Sequence, residues 1–316
     1  AGKLNRAVEY LPSDEQIGQR AAAGEGLTRP ELGLLLAYSK MAIFDDVLAS
    51  TLPDDPAVAD ALTSYFPPAM QKRFAPAIAA HRLKREIIAT VLANDIVNRM
   101  GVTFVQQLAE RSGHAPAAIV RAYVIVREAM QLPALWTQIE ALDNKVSAAV
   151  QLQMLQACTL FAIRATSTTI SLPLPAGGVG AQIAALRGLW QTMSTTLDKL
   201  LPPAPYQAVA AQSRNWAEAG VPTGLAQAVA QLAPLGSGPR ILAVAQQAGQ
   251  TPEEVAPVFY AVGAQIECDT LRALAMNFRA RNYWQRQQAM GLADEMGKIQ
   301  QQLTRTVLAT SKGDVA

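Results

Sequence analysis

The residues of this sequence with the greatest capacity for chemistry lie in one apolar segment, residues 83–101, which reads LKREIIATVLANDIVNRMG. Its polar members include Asn94, Asp95, Asn98 and Arg99. Asp95 and Arg99 stand four residues apart, which is the spacing at which a carboxylate and a guanidinium pair on one helix face. Apolar residues surround the axis of this predicted helix, so we expect it to be buried. Buried amides and charges need partners, so we expect a polar network here.

A second polar group interrupts another apolar stretch. Asp143, Asn144 and Lys145 fall within residues 133–170, which we predict to form one long helix that kinks near Asp143. We expect the two polar groups to meet. Three interpretations are open: a network that fixes helix packing, a contact site for a small molecule or another domain, and catalysis with Asp95 as a base. The last has no histidine, thiol or metal ligand beside the carboxylate.

The supply of reactive side chains limits the classes of function. The 316 residues include only two histidines and two cysteines, so we expect no structural zinc site. Cys158 and Cys268 lie in apolar helical patterns, so we expect buried thiols and a cytoplasmic protein. The GGVG of residues 177–180 fits neither a dinucleotide-binding nor a phosphate-binding loop. We therefore predict no catalytic, cofactor-binding or metal-binding residue in this sequence.

Charge and hydropathy argue against two further kinds of partner. The net charge is only +2, whereas affinity for nucleic acid depends on concentrated positive charge. The uncharged run at residues 146–163 approaches the length of a membrane span, but it contains three glutamines. Since each glutamine would need a partner in hydrocarbon, we assign this run to a buried helix. We expect neither nucleic acid nor a membrane as a partner.

The elements that position these residues are predicted to be helices throughout. Three pairs match capping boxes, in which two side chains satisfy free amide hydrogens at a helix start: Ser13 with Gln16, Thr28 with Glu31, and Thr251 with Glu254. No sustained alternation of β-branched residues indicates a strand. The prediction is an all-α protein, a multi-helix bundle without a sheet.

Helix patterns cover most of the chain, separated by three stretches rich in proline and glycine. Helices are predicted at residues 14–22, 30–50, 56–64, 67–80, 83–100, 102–112, 116–130, 133–170, 180–200, 205–219, 223–232, 238–248, 252–278 and 281–309. Loops are predicted at residues 171–180, 201–205 and 234–239. We expect two helical domains, residues 1–170 and residues 171–316, packed on each other.

Two parts of the sequence, 136 positions apart, share a pattern of a glycine, a proline and spaced apolar residues. The first set is Gly113, Pro116, Ile119, Tyr123 and Val126, and the second is Gly249, Pro252, Val255, Phe259 and Val262. Duplication of a helical unit and chance recurrence of a common helix-start pattern are both open. Duplication would make the second domain a partial repeat of the first.

Five segments together resemble a known family. They are residues 2–17 (GKLNRAVEYLPSDEQI), 26–41 (GLTRPELGLLLAYSKM), 83–104 (LKREIIATVLANDIVNRMGVTF), 141–146 (ALDNKV) and 292–308 (LADEMGKIQQQLTRTVL). In order and spacing they are similar to the C-terminal part of the bacterial large-subunit NAD-specific glutamate dehydrogenases. The similarity is most specific in residues 1–146. The tail has Asp294 and Glu295 where two aspartates are common in the family.

This resemblance implies a parent enzyme that oxidatively deaminates L-glutamate to 2-oxoglutarate and ammonia with NAD. In that family the dinucleotide-binding and catalytic segments precede the part matched here, so no residue with either role carries over. We expect a piece of a longer protein, inactive alone, that packs as a structural or regulatory domain against the catalytic domain of the same polypeptide in a homo-oligomer. The alternative is a self-contained helical module that binds a small molecule or a protein around Asn94, Asp95, Asn98 and Arg99.

Overall fold

The structure, a computed structural model, describes residues 4–311, and every regular element in that range is a helix. The prediction of an all-α protein is therefore confirmed. The chain forms two compact units, Ala1–Gln106 and Gln107–Ala316, and the boundary falls inside helix α7. The predicted division at residue 170 lies within the second unit and stays a prediction.

The first unit is built around helix α6. Its helices are α1 (Asp14–Ala22), α2 (Arg29–Leu48), α3 (Ala59–Tyr65), α4 (Pro68–Arg73), α5 (Ala75–Ala79) and α6 (Lys84–Met100), with short 3₁₀ helices at Leu52–Asp54 and Pro56–Val58. Helix α6 packs against α2 and α3, and its residues Ile88, Leu92 and Ile96 are at most 3% exposed. The expectation that this helix is buried is thus correct for its apolar residues.

The second unit contains the rest of the helices. They are α7 (Phe104–Ser112), which begins before the boundary, α8 (Pro116–Ala129), α9 (Leu132–Glu140), α10 (Ala148–Thr169), α11 (Gly178–Thr195), α12 (Leu197–Leu200), α13 (Pro203–Glu218), α14 (Thr223–Ala230), α15 (Leu232–Leu235), α16 (Gly238–Ala248), α17 (Pro252–Gln265), α18 (Cys268–Met276) and α19 (Tyr283–Ser311). Its core includes Trp136, Trp190 and Trp216, whereas Trp284 is 71% exposed. Three of the four tryptophans are therefore core residues.

All three predicted capping boxes form. The side chains of Ser13, Thr28 and Thr251 each accept a hydrogen bond from the backbone amide three residues later, and the Gln or Glu side chain at that position returns one. The reciprocal bonds satisfy amide hydrogens that have no partner inside the helix. These helices consequently begin within one residue of their predicted starts.

The backbone of the second unit is similar at the two sets of positions that are 136 residues apart. Gly113 and Gly249 both adopt positive φ, and the helices that follow, α8 and α17, have 14 residues each. Each of these ends near a left-handed residue, Gln131 or Glu267, which is succeeded by a nine-residue helix, α9 or α18. Each copy closes with a long helix, α10 or α19. The same backbone conformations recur 136 positions apart, and duplication of a helical unit stays a prediction.

Four predicted helices are wrong in being continuous; one of them, at residues 180–200, divides at Thr196 into α11 and α12. The helix predicted at residues 133–170 is two helices, α9 and α10, because Asn144 takes a left-handed φ of 60° and Ser147 caps a new helix through the amide of Val150. The helix at residues 252–278 breaks at Glu267, and the one at 67–80 breaks at Phe74. The predicted loop at 234–239 is wrong too, since α15 and α16 cover most of it.

Candidate functional site

The polar residues of α6 lie at the edge of the buried face of that helix. Asn94, Asp95 and Arg99 are half-buried, and Asn98 is exposed. The expectation of a buried position is therefore wrong for Asn98, which points away from the apolar core of its unit. A packing network or a contact site at the other three residues stays a prediction.

Asp143, Asn144 and Lys145 form the turn between α9 and α10, and all three are exposed. The expectation that they are buried inside a long helix is wrong, because the helix ends before them and the turn faces solvent. They belong to the second unit, whereas Asn94 to Arg99 belong to the first. The meeting of the two groups stays a prediction, and so does the interpretation of Asp143 to Lys145 as an interface.

A group of arginines that the sequence did not single out lines a cavity in the second unit. The cavity has a volume of about 150 Å³ and lies among α7, α10, α16, α18 and α19. Arg111, Arg164, Arg240 and Arg272 line it together with a single carboxylate, that of Asp294. Apolar side chains, among them Ile163 and Met290, form the remaining walls. We call this feature the arginine cavity.

Arg164, from α10, donates hydrogen bonds to α15 and to the residue that precedes α16. Its Nη1 donates to the carbonyl oxygen of Ala233 at 3.1 Å, and its Nη2 donates to Ser237 Oγ at 2.6 Å. Its Nε is buried and has no hydrogen-bond partner. Burial, reinforced by repulsion from Arg272, lowers the pKa of Arg164 to about 10. The guanidinium is positioned firmly although its charged form is disfavoured.

Arg272, from α18, has the most complete set of partners. Its Nη1 donates to Asp269 Oδ1 at 2.6 Å, and its Nη2 donates to Cys268 Sγ at 3.3 Å and to Gln300 Oε1 at 3.5 Å. Asp269 is 81% exposed at its side chain, so water weakens this ion pair. Cys268 is buried, and burial raises the pKa of its thiol despite the nearby Arg272.

Arg240, from α16, is the least satisfied of the four. The residue is 7% exposed, and its Nε has no hydrogen-bond partner. Its guanidinium lies against Gly297 of α19, where a Cβ would stand only 2.4 Å from Arg240 Cζ. Burial and then repulsion from Arg272 lower the pKa of Arg240, and Asp294 opposes the shift. Glycine at position 297 therefore makes room for a buried cation.

Arg111, from α7, lies close to polar side chains of α19. Its Nε lies 3.6 Å from Asp294 Oδ2, too far for a hydrogen bond, and its Nη1 reaches Gln287 Oε1 at 3.4 Å. The cavity thus brings four guanidinium groups together against weak or distant acidic partners. Chemically, this arrangement is suited to holding an anion.

Sequence reasoning missed these arginines because they come from four different helices and form no local motif. One signal was present: Arg164 is the only charged residue in the 22 residues of α10, and Arg240 the only one in the 11 residues of α16. Charged residues are rarely buried without a reason, so an isolated arginine in an apolar helix marks a position to examine.

Within residues 4–311, no group of three or more His, Cys, Asp or Glu side chains is arranged to hold a metal ion. None of the helices in this range combines the length and the hydropathy that crossing a bilayer requires. The predicted assignment of residues 146–163 to a helix of the bundle agrees with α10.

Comparison with known proteins places the chain in a family. Residues 24–316 match the family model described as "Glutamate dehydrogenase, C-terminal". NAD-specific glutamate dehydrogenases of Halomonas elongata and Pseudomonas aeruginosa are each 36% identical to 99% of this chain. That of Mycobacterium tuberculosis is 29% identical over 98% of the chain, and the chain spans 19% of the length of each relative. The resemblance found in the sequence is thereby confirmed, and the chain belongs to the glutamate dehydrogenase C-terminal family.

Proposed function

We propose that this chain is the C-terminal domain of an NAD-specific glutamate dehydrogenase and that it is a structural or regulatory part of that enzyme. The parent reaction converts L-glutamate, NAD and water to 2-oxoglutarate, ammonia and NADH. The observation that carries the proposal is the extent of the match, which covers nearly the whole chain but only 19% of each relative. Catalysis and NAD binding are then the work of the remaining polypeptide.

The size of the arginine cavity supports a non-catalytic role. Pockets for drug-sized ligands and cofactors have volumes of roughly 300–1,000 Å³. The arginine cavity, at about 150 Å³, is too small for a dinucleotide. Its lining also contains no group that accepts a proton readily at neutral pH other than Asp294, which faces Arg111. The arginine cavity is therefore suited to binding a small ion rather than to hydride transfer.

The proposal is tested by comparing this 316-residue chain with the complete polypeptide. We expect the chain to show a helical circular dichroism spectrum and to form no NADH from L-glutamate and NAD, whereas the complete polypeptide turns over. The spectrum is the control, because it separates an inactive folded chain from an unfolded one. Turnover by the chain alone would contradict its non-catalytic role, and an inactive complete polypeptide would contradict the parent activity.

We also propose that the preceding part of the same polypeptide packs against an apolar surface of the second unit. Leu274, Phe278 and Trp284, at the end of α18 and the start of α19, are 57% to 71% exposed. Exposed apolar residues this close together are typical of interaction surfaces. The relatives supply an occupant, since most of their length lies outside the matched part and the matched part is described as C-terminal.

Hydroxyl-radical footprinting tests this surface. We expect Trp284 to be oxidised readily in the 316-residue chain and protected in the complete polypeptide. Trp190, which is 2% exposed, is the internal control and should resist oxidation in both. Equal oxidation of Trp284 in the two samples would show that the catalytic part does not cover this surface. We further propose that the complete polypeptide forms a homo-oligomer, and its sedimentation tests this. We also propose a cytoplasmic location, which fractionation of cells tests.

A further inference from the structure

The arginine cavity lies between two similar helical segments, α7 to α10 and α16 to α19, which we call the two copies of the predicted repeat. Arg111 and Arg164 come from α7 and α10 of the first copy, whereas Arg240 and Arg272 come from α16 and α18 of the second. All of these helices belong to one compact unit. A ligand bound among the four side chains would therefore bridge the copies.

The charges in the cavity do not balance. Guanidinium groups do not lose their proton under ordinary conditions, so four lining arginines carry four positive charges against the one negative charge of Asp294. Asp269 adds a second carboxylate, but it is mostly exposed and pairs with Arg272 and Arg164 at the solvent side. Burying like charges together is costly unless an opposite charge compensates them.

The hydrogen-bonding capacity of the arginines is also incompletely used. The buried Nε atoms of Arg111, Arg164 and Arg240 have no hydrogen-bond partner. No side-chain ion pair of Arg240 occurs within the part of the chain that the structure describes, although this residue is 7% exposed. An unpartnered guanidinium that lines a cavity has a preferred ligand, since its planar fork binds the oxygens of a carboxylate or a phosphate in pairs.

The dimensions of the cavity limit the size of that ligand. A cavity of 150 Å³ in another protein takes up benzene, which gives a measure of the molecule that fits here. Inorganic phosphate and a short carboxylate are of this order, whereas a nucleotide is not. The apolar walls, including Ile163 and Met290, exclude part of the water and so strengthen the attraction between an anion and the arginines.

We propose that the arginine cavity is a binding site for a small oxyanion, either phosphate or a short carboxylate, with Arg240 as the central ligand and Arg111, Arg164 and Arg272 around it. Bound there, the anion supplies the missing negative charge and joins the two copies of the repeat. The site therefore links the stability of the second unit to the concentration of a small metabolite. This inference does not depend on the enzymatic activity of the parent polypeptide, because it concerns binding to this chain alone.

The test is a titration of the 316-residue chain by isothermal calorimetry, with sodium phosphate in one arm and sodium succinate in the other. Sodium chloride at the same ionic strength is the control for unspecific screening. We expect saturable binding in at least one arm, and we expect that ligand to raise the midpoint of thermal unfolding followed by tryptophan fluorescence. The arm that saturates identifies the ligand as a tetrahedral or a planar oxyanion.

Arg240→Met separates a ligand-binding arginine from a structural one. Methionine keeps the length and the apolar packing of the side chain, and no hydrogen bond to Nε is lost. We expect Arg240→Met to fold with an unfolding midpoint at or above that of the wild type, and to weaken anion binding by about tenfold or more. Arg187→Met is the matched control, since Arg187 donates to the carbonyl of Glu128 and does not line the cavity.

Three results would overturn the proposal. The first is the absence of saturable binding in both arms. In that case the occupant of the cavity would be an acidic side chain from another part of the parent polypeptide and not a free anion. The second is equal anion affinity in Arg240→Met and the wild type. If Arg240→Met does not fold, Arg240→Lys replaces it, because lysine keeps the charge but lacks the planar fork. Unchanged affinity in Arg240→Lys would then be the third.

Discussion

Replacing Gly238 with alanine should destabilise the second unit by forcing apart a close contact with Trp190. A Cβ at position 238 would lie 2.4 Å from Trp190 Nε1 and 3.0 Å from Cδ1. The indole cannot move aside easily, because it is 2% exposed, packs against Phe161 at a ring distance of 5.2 Å, and donates from Nε1 to the carbonyl of Leu235 at 2.8 Å. The methyl group must therefore displace the ring or the start of α16.

The size of the effect follows from three contributions. Overpacking a dense core costs about 1–3 kcal/mol, and leaving a buried indole N–H without its acceptor costs about 1–3 kcal/mol more. The higher helix propensity of alanine offsets at most about 1 kcal/mol, and less at Gly238 because it is the first residue of α16. If the ring shifts without losing its hydrogen bond completely, the expected net loss in the free energy of unfolding is about 2 kcal/mol.

Gly188→Ala is the matched control in the same unit. Gly188 lies inside α11 on the exposed side, and a Cβ there meets no atom within 4 Å. Alanine should therefore stabilise the protein by about 0.5–1 kcal/mol through helix propensity alone. The two variants carry the same chemical change, so opposite signs would identify packing against Trp190 as the cause.

Urea unfolding followed by tryptophan fluorescence measures both variants. All four tryptophans belong to the second unit, so the signal reports on that unit and not on the first. We expect a lower midpoint for Gly238→Ala and a higher one for Gly188→Ala, each with an unchanged slope. A Gly238→Ala midpoint equal to or above that of the wild type would refute the reasoning, since the core around Trp190 would then be loose enough to absorb a methyl group.

Three further predictions concern the first unit, a helix cap and the pH dependence of stability. Leu92→Ala should lower the unfolding free energy of the first unit by about 2–5 kcal/mol because Leu92 is 1% exposed. Leu83→Ala, at an exposed position, should change this free energy little. Urea unfolding followed by circular dichroism compares the two variants. Thr251→Ala should cost about 1 kcal/mol by removing the cap of α17, and Thr251→Ser should restore most of it in the fluorescence assay. Burial raises the pKa of Tyr260 above its usual 10, so the stability that the neutral phenol contributes is present below pH 10 and declines as the pH rises further. Stability measured from pH 9 to 11 should fall more steeply in the wild type than in Tyr260→Phe, and parallel curves would contradict this.

The helix starts could be predicted from the sequence because their causes are local. A capping box needs only two side chains three positions apart, so Ser13, Thr28 and Thr251 marked their helices without any knowledge of the fold. The predicted repeat also rests on a local signal. Gly113 and Gly249 follow helices and adopt positive φ, which glycine permits at no steric cost.

The helix breaks were harder to predict because ordinary residues make them. Asn144 and Glu267 adopt left-handed conformations, yet glutamate rarely does so and nothing in its neighbourhood indicates it. Such a conformation costs free energy locally and persists only where packing of the adjoining helices compensates it. That compensation is tertiary, so the long helix predicted at residues 133–170 could not have been divided from the pattern alone.

The predicted internal repeat supports the proposal that the arginine cavity serves binding rather than folding. Position 272 in the second copy corresponds to position 136 in the first, where the chain has Trp136, 4% exposed and part of the core. The same helix in the same position of the repeat therefore accepts a large apolar side chain. Likewise, Arg164 of α10 corresponds to Gln300 of α19, which is neutral and buried. The corresponding helices accept neutral side chains at these two positions, which supports anion binding as the reason for Arg164 and Arg272.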